Sequence, residues 1–155
     1  MLSTADLESR LDALYSQLEV IRSDSPVSDL ETFASFFSQD CVVNLESMRE
    51  IKEPALGRQG VVAKLQETTK HLYLEKRKVV SQAISEKDMR VFSEMRNRYN
   101  VHTQELDDFP EILVATFNDE GLINSFRHYS CRSPIVGLIQ SATGEGPYNE
   151  EEMKQ

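Results

Sequence analysis

Three observations predict an α+β domain with a curved, largely antiparallel sheet. Apolar residues recur at helical spacing through the first third of the chain. They alternate at strand spacing over long stretches of the second half. Phe109–Cys131 (FPEILVATFNDEGLINSFRHYSC) then holds two β-rich apolar runs, Ile112–Phe117 and Leu122–Phe126, separated by the Gly-containing turn Asn118-Asp119-Glu120-Gly121. Helices first and long neighbouring strands afterwards is the pattern of helices gathered on one side of a sheet. A chain of 155 residues is long enough for one substantial core, here read as a single domain over 1–148, with 149–155 as a flexible acidic tail.

In order along the chain, Leu7, Leu11, Leu14, Leu18 and Ile21 mark one face of a first helix, with Ser3 or Thr4 as its cap. Pro26 ends it, and Ser28-Asp29 starts a shorter helix to about Ser38, whose apolar side is Leu30, Phe33, Phe36 and Phe37. Cys41–Glu46 is a short strand. A polar loop follows to Gly57, and a third helix is predicted over about Gln59–His71. The GRQG before it lacks the lysine and the glycine spacing of a nucleotide-binding turn, so it reads as a helix start.

Two long strands come next, about Glu75–Ser85 and Met89–His102. In the second, Val91, Ser93, Met95, Asn97, Tyr99 and Val101 alternate with residues that include Arg90, Glu94, Arg96 and Arg98, so one face points inward and a charged one outward, to solvent or a second subunit. The hairpin carries the chain into Arg127, His128, Tyr129, Ser130 and Cys131, the densest run of reactive side chains on any predicted strand. Arg132-Ser133-Pro134 stops it, and Ile135–Ala142 is a short helix.

With 39% hydrophobic and 28% charged residues, the composition is that of an ordinary soluble protein. A net charge of −9 repels phosphate backbones and excludes nucleic acid as the expected partner. No apolar run is long enough to span a membrane, and the acidic, amphipathic N-terminus is unlike a secretory signal; with no glycosylation sequon, a cytoplasmic location is expected. Cys41 and Cys131, both in predicted strands, are read as buried thiols. His71, His102 and His128 have no metal-ligand spacing.

Three short motifs carry a resemblance over roughly residues 10–131: Phe36-Phe37-x-x-Asp40 before the first strand, Gly57-Arg58-x-Gly60 opening the third helix, and Asp119-Glu120-Gly121-Leu122-Ile123 entering the last strand. In order and spacing they resemble the SnoaL-like branch of the nuclear-transport-factor-2-like superfamily. The resemblance implies a cone-shaped, curved mixed or antiparallel sheet wrapped around N-terminal helices, a cystatin-like α+β barrel enclosing an apolar cavity. It also implies a cofactor-independent protein, frequent homodimers through the outer sheet face, and functions from polyketide cyclase, isomerase and dehydratase to noncatalytic binding module.

Counted from the Gly121-Leu122-Ile123 turn, the catalytic carboxylate position of the polyketide cyclases falls on His128, and a histidine serves as a base near neutral pH. Alternation puts Asn124, Phe126 and Ser130 on its face, offering a polar neighbour to orient the ring; the alternative is a structural, hydrogen-bonded histidine. The steroid-isomerase base position aligns with Leu45, which cannot take a proton, although a one-residue shift brings in Asn44 or Glu46; Asp40 is a further carboxylate with a turn role as its alternative. Tyr99 and Asn97 are candidate donors to a developing oxyanion, or else a core tyrosine and a satisfied amide. Tyr15, Phe33, Phe37, Leu45, Met95, Asn124 and Phe126 are expected to line the cavity, with plain core packing the alternative for Tyr15 and for the phenylalanines of the second helix. The expected function is proton transfer beside the carbonyl of a small hydrophobic molecule, as in a cyclase, isomerase or dehydratase of specialised metabolism. A small-ligand-binding or dimeric interaction module on the same fold is the alternative.

Overall fold

The computed structural model describes residues 1–154. Helix α1 (Thr4–Leu18) begins with the predicted cap: Ser3 Oγ accepts from the backbone N–H of Asp6, and the Asp6 carboxylate accepts from that of Ser3. Its apolar stripe, Leu7, Leu11 and Leu14, is fully buried. Helix α2 (Val27–Ala34) ends earlier than the aromatic run suggests, because Phe37 already belongs to strand β1 (Phe37–Glu46). A two-residue strand, β2 (Ala55–Leu56), leads into α3 (Gly57–Thr68).

The strand predicted over Glu75–Ser85 is two: β3 (Leu72–Lys76) and β4 (Val79–Ser85), both paired with β5 (Arg90–Val101). Arg77 and Lys78 break the ladder between them, and Asn97 repairs the break by accepting from the Lys78 N–H at 3.0 Å. On β5 the predicted alternation holds at every inward position from Val91 to Val101. Strand β6 (Gln104–Phe117) starts before the apolar run, and β7 (Ile123–Tyr129) closes the hairpin. Gly121 in the turn has φ +77°, a left-handed backbone conformation that favours glycine, and the Arg10 side chain from α1 packs into the space a Cβ would take.

The sheet runs β2-β1-β7-β6-β5-β3, with β4 also on β5; β1 and β7 are parallel and the other pairs antiparallel. Register shifts in β1–β7, β3–β5, β4–β5, β5–β6 and β6–β7 bend the strands, and the sheet curls into a half-barrel around the helices. The α+β expectation holds.

After β7 the chain forms α4 (Ser133–Thr143) and, in place of a frayed tail, a capped turn of helix, α5 (Glu150–Met153), in which Glu152 pairs with Arg49 at 2.7 Å. Cys131 lies beyond β7 and is exposed, whereas Cys41 is buried; both are free thiols. No helix among the described residues is long and apolar enough to cross a membrane.

Candidate active site

The inner face of the curl, closed by α1 and α3, encloses a cavity of about 150 Å³ with predominantly apolar walls. Tyr15, Phe33, Phe37, Leu45, Tyr99, Phe126 and His128 all line it. Phe37 meets Phe33 and Phe126 at ring-centroid distances of 5.5 and 5.6 Å, and Phe126 stacks along His128 at 6.1 Å. Leu45 is the direct β1 partner of His128 on β7, so the position that would carry a first-strand base abuts the imidazole.

Four expected residues, Asn124, Met95, Asn97 and Ser130, lie elsewhere. Between Thr116↔Ser125 and Phe117↔Ile123 the hairpin gives β7 one extra residue, Asn124, and this bulge resets the alternation, so that Ile123, Phe126 and His128 face inward while Asn124 does not. Met95 is fully buried but contributes to a wider groove of about 620 Å³ at the strand ends. Asn97, also fully buried, sits behind the wall. Ser130 is in the wider groove, not beside the ring it was expected to orient.

The group that does orient the ring is Glu111, which the sequence reading left unassigned. On β6 it is opposite Met95 of β5, while Leu113, two residues on, is opposite His128 of β7. Glu111 is thus a near neighbour of β5 on one side and β7 on the other. Its Oε2 lies 3.0 Å from His128 Nδ1, and its Oε1 accepts from the Tyr99 hydroxyl at 2.5 Å and from Asn97 Nδ2 at 2.9 Å. Glu111 is 4% and His128 8% exposed, so the pair is buried.

With Glu111 Oε2 as its acceptor, a neutral His128 ring carries its hydrogen on Nδ1 and leaves the Nε2 lone pair free. Nε2 is buried and has no hydrogen-bond partner. The Tyr15 hydroxyl is likewise buried and unpartnered, under the Arg77 guanidinium 4.4 Å above its ring. Burial pushes the Tyr15 phenol far above its ordinary range; the Glu111 charge adds to this and Arg77 opposes it. Tyr99 is raised as well, by burial first and then by Glu111. Both phenols therefore remain protonated donors, but Tyr99 spends its hydrogen on Glu111, whereas that of Tyr15 is free. An acceptor nitrogen and a donor hydroxyl, each without a partner, share one apolar cavity.

A signal for Glu111 was present in the sequence. It is in phase with Phe109, Leu113 and Ala115, an acidic residue on the buried side of a strand. His71 and His102 meet each other instead, Nδ1 to Nε2 at 3.0 Å, and line no part of the cavity.

No family model and no curated protein matches the sequence. Solved structures match the fold. A candidate isomerase from Bacillus subtilis superposes with a TM-score of 0.67 at 16% identity, over 93% of this chain and 96% of the other. A candidate polyketide cyclase from Xanthomonas campestris gives 0.64 at 14%, over 87% and 97%. A hypothetical protein with a ketosteroid isomerase-like fold from Catenulispora acidiphila, solved with trimethylamine, gives 0.58 at 12%, over 70% and 80%. The chain shares the ketosteroid isomerase-like cone fold of these structures, which include proteins named as an isomerase and a polyketide cyclase.

Proposed function

We propose that the protein is a cofactor-independent acid–base enzyme acting beside a carbonyl group, with His128 as the base. The observation that carries this reading is the buried, unpartnered His128 Nε2, whose ring is held from behind by Glu111. In the first step Nε2 takes a proton from the carbon next to the carbonyl. The C–H electron pair moves into the carbonyl, whose oxygen gains negative charge and accepts a hydrogen bond from the Tyr15 hydroxyl. Glu111 balances the imidazolium that forms, and Tyr99 and Asn97 act as positioning residues by fixing Glu111. Returning the proton to a different carbon gives an isomer. Attack of the enolate carbon on a second carbonyl gives a ring, and loss of a β-hydroxyl, as water, gives a dehydration product.

The test needs no knowledge of the natural substrate. Solvent deuterium uptake at the α-carbons of phenylacetone, followed by NMR, is expected to exceed the buffer rate with the native protein. It should fall to the buffer rate with His128→Ala and by about 10²-fold with Tyr15→Phe. Equal uptake with His128→Ala removes His128 from the mechanism, and a ketone that binds the native protein without uptake favours the binding-module reading.

The reading includes a homodimer through the convex face of the sheet, where the half-exposed Phe92, Ile112 and Tyr129 lie on three neighbouring strands. Light scattering of the native protein beside Ile112→Lys tests it; a monomeric native protein excludes it.

A further inference from the structure

The wall of the cavity is apolar apart from the tyrosines, Thr68, Thr69 and the His128–Glu111 pair, but its partly exposed rim carries two cations, Lys64 from α3 and Arg132 at the start of α4. Resting on the acid–base reading above, we propose that the substrate is a ring-sized carbonyl compound that also bears a carboxylate, held at the rim between Lys64 and Arg132.

Size argues first. A cavity of about 150 Å³ is of the order that accepts one benzene-sized group, too small for a fused polycyclic skeleton.

Charge argues second. Among the described residues neither Lys64 nor Arg132 has an acidic partner or a side-chain hydrogen bond, and the Arg132 Nε is fully buried with no acceptor at all. Several other half-buried arginines are spent, Arg77 on Asp12, Arg58 on the Phe37 carbonyl and Arg22 on the carbonyls of Glu19 and Ile21; Arg127 also has a buried Nε without an acceptor, but it does not line the cavity. Burial lowers the Lys64 ammonium below its ordinary range; Glu67, three residues along α3 and exposed, works against this, and Lys52 and Arg132 add to it. In a chain of net charge −9, two cations left without a carboxylate beside a catalytic cavity make a local positive field that draws an anion in. Among the described residues the only acid lining that cavity, Glu111, is committed to three donors. A carboxylate meets both needs: it supplies the acceptor that a buried guanidinium N–H lacks, and it relieves the repulsion between the cations. The ring then extends inward along Phe126 toward His128.

Phenylacetate and its neutral counterpart phenylacetamide are suitable probes, titrated into the full-length protein by NMR up to their solubility limits. Phenylacetate is expected to bind about tenfold more tightly, with shifts at the cavity residues and an affinity that falls as salt rises. Arg132→Gln and Lys64→Gln should each weaken phenylacetate several-fold and leave phenylacetamide unchanged, while Arg132→Lys, which keeps the charge, retains part of the preference. Equal binding of the two probes, unaltered phenylacetate affinity in both Gln variants, or no saturable phenylacetate binding each overturns the proposal. In His128→Ala the preference for the acid should persist, so failure of the base assignment and failure of the carboxylate site give different results.

Discussion

Among the described residues two glutamates are buried, and comparing them separates a site from a clasp. Glu111 and Glu50 each accept three side-chain hydrogen bonds, and each has a tyrosine among the donors. Glu50, in the loop after β1, takes them from Ser47, Ser133 and Tyr148, and the Tyr148 ring lies against Arg49 at 4.4 Å. Every member of that group is used up in tying the C-terminal segment to the loop. Glu111 is built into three consecutive strands, and its third donor, His128, has a second nitrogen that the network leaves free. The same chemistry closes a structure in one place and supports a reactive atom in the other. What differs is whether the last donor has anything left over.

The sharpest way to break the comparison is to delete the carboxylates in turn. Glu111→Ala strands a buried imidazole N–H, a phenol and an amide, and urea denaturation should show a loss of about 3 kcal/mol together with abolished deuterium uptake. Glu50→Ala leaves donors that water can reach from the surface; a loss of about 1 kcal/mol is expected, with uptake at the native rate. Comparable losses would mean that the two sites do not differ in kind.

Removing a single hydroxyl makes a finer probe. Tyr99→Phe takes a donor from Glu111 and is expected to cost about 1 kcal/mol, and the pH–rate profile should move because the carboxylate behind His128 has changed. Tyr148→Phe should cost less and leave that profile where it was.

The smallest effect is acid release of the clasp. Burial works to raise the Glu50 carboxyl, but the hydrogen bonds from Tyr148, Ser133 and Ser47 outweigh it, so Glu50 titrates below the ordinary glutamate range. A depressed carboxyl contributes stability that is complete above its unfolded value, about 4.3, and is lost as pH falls through the lower folded value. Hydrogen exchange is expected to show α4 and Tyr148 loosening in that acid window, before the strands around Glu111. Simultaneous loosening would remove the distinction.

Several parts of this arrangement were legible residue by residue. The face of β5 from Val91 to Val101 follows from alternation alone, because a strand's side chains change sides at each step whatever it packs against. The Ser3 cap and the Leu7–Leu11–Leu14 stripe are equally local. Asn124 was misplaced because a bulge adds one residue to a single strand, and nothing in FNDEGLINSF marks where. Glu111 escaped notice because it precedes the apolar run; its in-phase position is visible once β6 is extended back to Phe109.

The chain's own residues thus determined the helices, the strand faces, the hairpin and the presence of an imidazole on the inner side of the last strand, since each depends on neighbours a few positions away. Tertiary structure alone decided that Glu111, rather than Ser130 or Asn124, holds that imidazole, that Tyr99 is occupied while Tyr15 is free, and that Lys64 and Arg132 line the same cavity. Those are matters of register between strands and of packing between elements far apart in the chain. Such contacts are set by the summed burial of the whole core, which no short stretch of sequence encodes.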